Sequence, residues 1–159
     1  MSLRLVLALV ALALPLAARA DAPFTCEKPQ LADAPQGANP AQEAAAKAYA
    51  LEAPVETLRL HKGTPGSAHI AIVPKGDAHV DPHAPVTLTV TAGPNVELPK
   101  ASFNKTDAKY ENSGLQLDVP IQAKNTGTET VQATLKFFIC TANLCEPQKK
   151  TVTIAVNVD

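Results

Sequence analysis

Leu115-Gln116-Leu117-Asp118-Val119-Pro120-Ile121 decides the fold. Apolar residues stand at every second position, with polar residues or proline between them. A period of two puts one face of a strand in a core and the other in water. The same period recurs in both directions from this stretch. Downstream, Val131, Ala133, Leu135, Phe137 and Ile139 alternate, and so do Val152, Ile154, Val156 and Val158. Upstream, Val86, Leu88 and Val90 alternate with threonines, Ala68, Ile70 and Ile72 with Ser67, His69 and Ala71, and Leu58 and Leu60 with charged neighbours. Enrichment in Val, Ile and Thr suits a pleated, half-buried surface.

The breaks between these runs carry turn chemistry. They are Gly63-Thr64-Pro65-Gly66, Pro74-Lys75-Gly76-Asp77, Gly93-Pro94-Asn95 and Asn125-Thr126-Gly127. No helix-length pattern separates the runs, which disfavours a βαβ sheet. About seven short strands so spaced predict an all-β protein, an immunoglobulin-like antiparallel β-sandwich over residues 55–159.

The N-terminal third reads differently. Arg4 supplies a short positive region and Leu5 to Leu16 an apolar one, too short to cross a bilayer comfortably. Ala18-Arg19-Ala20 is a small-x-small cleavage site. Residues 1–20 therefore read as a secretory signal peptide, which places the mature protein in the periplasm or outside the cell. Residues 21–54 read as a leader rich in Ala, Pro, Gln and Glu. Within it, Asn39 is a helix cap, Pro40 suits the first turn, and a short helix is expected over Gln42 to Leu51, with Pro54 beyond it. Its apolar content is mostly alanine, so it can bury little area, and the segment reads as a mobile leader or a helix laid on the domain edge.

Composition narrows the function. Removing Arg4 and Arg19 from 14 basic residues leaves 12 against 15 acidic, a net charge of −3. With no basic cluster, neither nucleic acid nor an anionic membrane surface is an expected partner. No later stretch is long and apolar enough to span a membrane, so the mature chain is expected to be soluble. Trp is absent and aromatics are few, which disfavours sugar stacking. There is no Ser/His/Asp arrangement, no Gly-rich phosphate loop and no paired-carboxylate cleft. No cofactor is expected.

Three cysteines remain: Cys26, Cys140 and Cys145. Outside the cytoplasm thiols tend to be oxidised, and an odd count leaves one free or paired elsewhere. Cys140 follows directly on the strongest strand and Cys145 opens the approach to the last, with Thr141-Ala142-Asn143-Leu144 between them. A disulfide here clips the turn of a hairpin with arms 131–139 and 150–158. In the first arm Cys140 shares the face of Thr134, Lys136 and Phe138, opposite the core, so an accessible sulfur is expected. A ring this small is worth roughly 2 kcal/mol by chain entropy. The bond is either a structural staple or a pair that exchanges with a partner's thiols, and the residues alone leave both open. The attacking species in exchange is a thiolate, whose formation Lys136, Lys149 or Lys150 could bias.

The stretch Phe137-Phe138-Ile139-Cys140-Thr141-Ala142-Asn143-Leu144-Cys145-Glu146-Pro147, before a Lys/Thr-rich final strand, resembles the N-terminal periplasmic domain of the thiol:disulfide interchange proteins of DsbD type. Asn95-Val96-Glu97-Leu98-Pro99 and Gly114 to Ile121 extend the likeness, which covers roughly residues 75–158. The resemblance implies an immunoglobulin-like sandwich whose Cys140 and Cys145 form a redox-active disulfide. It implies electrons arriving from a thioredoxin-like or membrane electron-carrier protein and leaving to periplasmic oxidoreductases, as a component of a protein-disulfide reductase. It also implies a cap loop near Phe103 to Ser113, with Phe103 or Tyr110 as the covering aromatic. The chain departs from the pattern in three ways. The cysteines are one residue closer than in the familiar form, Ala78-His79-Val80 stands where aromatics are usual, and the membrane and thioredoxin-like parts do not follow. The expectation is a free-standing relay module.

His79-Val80-Asp81-Pro82-His83 gathers two imidazoles and a carboxylate, a set suited to Zn or Cu. Pro82 and Pro85 make it read first as a solvated lead-in to a strand. His79, Asp81 and His83 are thus weak metal candidates, to which His61 and His69 add only if the fold brings them close. Cys26 is a free thiol, an intermolecular link or a resolving partner for the hairpin pair. The class that competes with exchange is a non-catalytic sandwich, a binding or assembly module with a structural disulfide.

Overall fold

The structure, a computed structural model, describes residues 39–159. The expected signal peptide, the first part of the leader and Cys26 lie outside the described residues. Asn39 is extended, and its side-chain oxygen accepts from the Ala41 amide at 3.1 Å. With Pro40 in the first turn, helix α1 runs Pro40–Lys47. The helix starts where the Asn39 cap and Pro40 place it but stops short of Leu51, because Tyr49–Glu52 forms strand β1. Burial of Tyr49, 4% exposed, outweighs the helix propensity of the Ala-rich run.

Strands β2 (Leu58–Leu60), β3 (Pro65–Pro74), β4 (His79–Val80) and β5 (Thr87–Thr91) follow. Then come β6 (Val96–Glu97), β7 (Ser102–Asn104), β8 (Leu115–Ala123), β9 (Gly127–Cys140) and β10 (Cys145–Val158). They form two sheets. One has the order β1-β3-β8-β6. The other has the order β2-β10-β9-β5-β7, with β4 also on β9. The inward residues of both sheets make one core, an immunoglobulin-like sandwich. From the first sheet come Ile70, Ile72, Leu117, Val119 and Ile121. From the second come Leu88, Leu135, Phe137, Ile139 and Ile154. The decisive stretch 115–121 is buried at Leu115, Leu117, Val119 and Ile121, as its alternation predicts.

One pair departs from the antiparallel expectation. β2 lies parallel to β10, with Leu58 opposite Val156 and Leu60 opposite Val158. β2 is reached by a crossing from β1 in the other sheet, not by a hairpin, so no turn forces it antiparallel.

Strand β1 joins the first sheet through β3, with Tyr49 opposite Pro74 and Leu51 opposite Ile72. Tyr49 ties this segment to the second sheet as well. Its ring meets Phe137 edge-on at 5.1 Å, and its hydroxyl donates to Gln148 Oε1 at 3.2 Å. Burial pushes the Tyr49 phenol up to about 12. β1 therefore belongs to the sandwich, and α1 packs against β10.

Tyr49→Ala should cost about 3–5 kcal/mol and Tyr49→Phe about 1–2 kcal/mol, the latter by stranding the Gln148 oxygen. Urea unfolding measures both. A loss below about 1 kcal/mol for Tyr49→Ala would show that α1 and β1 are outside the cooperative core.

The outer face of the first sheet carries an ion pair. His69 and Asp118 face each other across β3 and β8, at 2.8 Å between Nδ1 and Oδ1, and Lys109 Nζ lies 3.4 Å from the same carboxylate. The hydrogen bond to His69, aided by Lys109, holds the Asp118 carboxyl below its usual range. A depressed carboxyl contributes stability above its unfolded pKa of about 3.9 and loses it as pH falls through the folded value. All three groups are about half exposed, so the contribution is about 0.5 kcal/mol or less. Asp118→Asn should remove that part of the acid-side slope of stability against pH, read by urea unfolding at a series of acid pH values.

Candidate functional site

The site is built on the hairpin of β9 and β10. Its rungs run from Val158 opposite Gly127 to Cys145 opposite Cys140. At the tip Thr141 N donates to Leu144 O at 2.8 Å, which closes the turn over Ala142 and Asn143. Cys140 and Cys145 occupy the next rung, a non-hydrogen-bonded position where antiparallel backbones approach most closely. Their Cα atoms are 4.0 Å apart and the sulfurs are bonded. The expected arms of the hairpin extend to 127–140 and 145–158, so both cysteines are strand residues and not part of the loop.

The two cysteines differ in exposure. Cys145 is exposed, whereas Cys140 is 1% exposed. The expectation of an accessible Cys140 is corrected here. Its parity is as read, on the outer face with Lys136 and Phe138, but β9 is flanked on both sides at this point. Cys145 pairs with Cys140 on one side, and His79 of β4 pairs with it on the other. Two cross-strand neighbours, one of them bonded, take up the surface that a strand end would expose. The β4 contact is long-range and leaves no local trace in the sequence.

The same face continues along the arms. Two residues back, Phe138 stands opposite Pro147, and next along Lys136 stands opposite Lys149. With Gln42 of α1 and Pro85 these side chains line an open cavity of about 540 Å³. Among the described residues β10 has a strand partner on one side only over this stretch, since β2 reaches only Val156–Val158. Pro147, which lacks an N–H, blunts that free edge. The groove escapes sequence reasoning because α1 and the β5 approach frame it through tertiary packing.

The remaining candidates are dispersed. Phe103 lies in β7 opposite Leu88 and is 4% exposed within the core, so it is not a cover for the pair. The alternation of β7 turns it inward. Tyr110 is half-buried against the core with its hydroxyl enclosed and unpartnered. Burial, and then the charge of Asp81, raises its pKa. The segment that carries it reaches β4, where Ser113 O accepts from Val80 N at 2.8 Å.

Among the metal candidates, the Asp81 carboxylate turns back to accept from the His83 amide at 2.8 Å, a local Asx turn. His79 points to the outer face beside Cys140. His61 pairs with Asp159 at 2.9 Å and His69 with Asp118. Among the described residues, no group of three or more His, Cys, Asp or Glu is placed to hold a metal, and no helix is long and apolar enough to cross a membrane.

No family model matches the chain, and no curated protein matches it. Among solved structures it is similar to the native alpha-2-macroglobulin of Escherichia coli at 20% identity and a TM-score of 0.41, over 70% of this chain and 7% of that one. It is similar to domains 4 and 5 of the S-layer protein SbsC at 15% identity and a TM-score of 0.36, over 69% of this chain and 53% of that one. It is also similar to AggA, the major subunit of the type I aggregative adherence fimbriae of Escherichia coli. There the identity is 13% and the TM-score 0.37, over 70% of this chain and 94% of that one. None of these is a thiol:disulfide interchange protein, and none carries a residue role over to this chain.

After mild reduction, Cys145 should be alkylated by iodoacetamide at least about tenfold faster than Cys140, because access limits the reaction of a buried thiol. Peptide mass mapping over time reads the ratio. Equal rates would mean that the burial of Cys140 does not persist without the bond.

Proposed function

We propose that this chain is a periplasmic thiol–disulfide exchange module, similar to the N-terminal domain of DsbD-type interchange proteins. It relays electrons through Cys140 and Cys145 between a thioredoxin-like or membrane electron-carrier protein and periplasmic oxidoreductases. The observation that carries this reading is the asymmetry of the pair, an exposed Cys145 bonded to a buried Cys140 at the open end of a sheet face.

The chemistry follows from that asymmetry. A partner thiolate attacks the Sγ of Cys145, the sulfur it can reach. A new sulfur–sulfur bond forms to the partner, and the Cys140–Cys145 bond breaks with its electron pair on Cys140 Sγ. A second thiol of the partner then attacks the partner's own sulfur in the mixed disulfide and releases Cys145. The partner leaves as a disulfide and the domain holds two electrons. Discharge to an oxidised acceptor is the reverse sequence. The groove over Phe138 and Pro147 offers the partner's chain an apolar bed beside Cys145, with Lys136 and Lys149 at its rim.

One observation favours a second reading. Burial of Cys140 is what a structural bond in a binding or assembly sandwich would also show. The reduction potential separates the two. Exchange predicts a value above about −300 mV, within reach of thioredoxin-like partners, whereas a value well below it marks a structural bond. A Cys140→Ser/Cys145→Ser variant should stay folded and lose about 2 kcal/mol. Unfolding of that variant at room temperature would support the structural reading.

A further inference from the structure

In the sequence His79 reads as a weak metal candidate and as part of the Ala78-His79-Val80 departure, yet the fold gives it a different neighbour. β4 is two residues long, and its first residue is paired with Cys140. Directly paired residues of antiparallel strands project to the same face, with Cβ atoms about 4.5–5.5 Å apart. Val80 is buried and His79 exposed, so His79 shares the outer face with Cys140. Across β10, β9 and β4 the order on that face is Cys145, Cys140, His79.

The position is held from both sides. Val80 pairs with Ile139 of β9, and its amide donates to Ser113 O. Asn112 and Ser113 both take left-handed backbone, with φ of 48° and 64°. They are the two central residues of the turn closed by Gly114 N donating to Glu111 O at 2.7 Å, and positive φ at both is ordinary hairpin-turn geometry. The turn brings the Ser113 carbonyl to β4, the strand that presents the imidazole.

We propose that His79 is the proton partner of the Cys140 thiolate during exchange at the Cys140–Cys145 pair, a role that rests on the exchange reading. Cys140 is the leaving sulfur when a partner attacks Cys145, and it has little solvent to stabilise the charge it acquires. An imidazolium on the next strand forms an ion pair with that thiolate and can pass it a proton, leaving neutral imidazole. In the discharging direction neutral imidazole takes the proton from Cys140, which re-forms the thiolate needed to close the disulfide and expel the partner. Each proton moves between Sγ of Cys140 and the ring of His79, so no further co-reactant is required. The other charged groups on the elements packed here are Asp77 and Asp81 on either side of His79, Glu111 before β8, Glu146 beside Cys145 and Lys136 further along β9.

The test uses the full chain with Cys26→Ser and Cys145→Ser, so that Cys140 is the only thiol, and follows its thiolate by ultraviolet absorbance against pH. His79→Gln should lower the thiolate fraction at pH 7 about tenfold. His79→Lys, which returns a cation, should restore it. Far-ultraviolet circular dichroism checks that the fold is intact, as expected for an exposed residue. An unchanged titration in His79→Gln overturns the proposal. Exchange of the Cys26→Ser chain with dithiothreitol is measured alongside. A shifted titration with a disulfide that resists dithiothreitol removes the exchange reading and leaves the His79–Cys140 pair. An unchanged titration with rapid exchange does the opposite.

Discussion

The ladder between β9 and β10 is the constraint on which the rest of the structure depends. Each strand is 14 residues long, and they pair from end to end. β9 then accepts β5 and β4 on its other side, and β10 accepts β2. Every strand of the six-stranded sheet except β7 therefore touches this hairpin directly. Because side chains alternate with a period of two, its register also decides which residues meet the other sheet. A slip by one residue would turn Leu135, Phe137 and Ile139 to water and Lys136 inward. The same register that buries the core sets Cys140 against Cys145 and His79 against Cys140. Core and site are thus consequences of one alignment.

The attachment of the N-terminal segment is a second, smaller constraint. α1 carries mostly alanine and can contribute little apolar area itself. Tyr49 makes the difference, since its ring fills the space against Phe137 and its hydroxyl satisfies Gln148. A buried glutamine in a strand facing the core would otherwise be costly. The pairing of Tyr49 with Gln148 therefore explains both why β10 tolerates a polar residue there and why the chain leaves helical geometry at Ala48. It also sets the wall of the groove beside the cysteines, because Gln42 of α1 lines it.

Much of this was legible in the sequence, for a physical reason. The long strands bury one face against the core, so their alternation is strong over 115–121, 131–139 and 152–158. The short strands β4, β6 and β7 have two or three residues, too few for a period to declare itself. β1 was hidden by Ala-rich surroundings that favour helix locally, until Tyr49 finds a partner 99 residues away. At the site, the cysteine pair and the face of Cys140 were readable from spacing and parity. The burial of Cys140 was not, because it depends on a strand about sixty residues earlier, and nothing local in His79-Val80-Asp81-Pro82-His83, which reads first as a solvated lead-in, points to Cys140. Phe103 misled in the other direction, an aromatic in a loop-like stretch that β7 turns into the core.

The parallel pairing of β2 with β10 has a bearing on how the chain acquires its structure. Leu58 to Leu60 are among the first strand residues described, and their partners are Val156 to Val158. That loop can close only when nearly the whole domain has been delivered, and joining such distant segments is the slow kind of step. The first sheet has no such dependence, since β1, β3, β8 and β6 all precede β9. An emerging chain receives every strand of the first sheet before it receives β10, and the hairpin that bears the cysteines is the part delivered last.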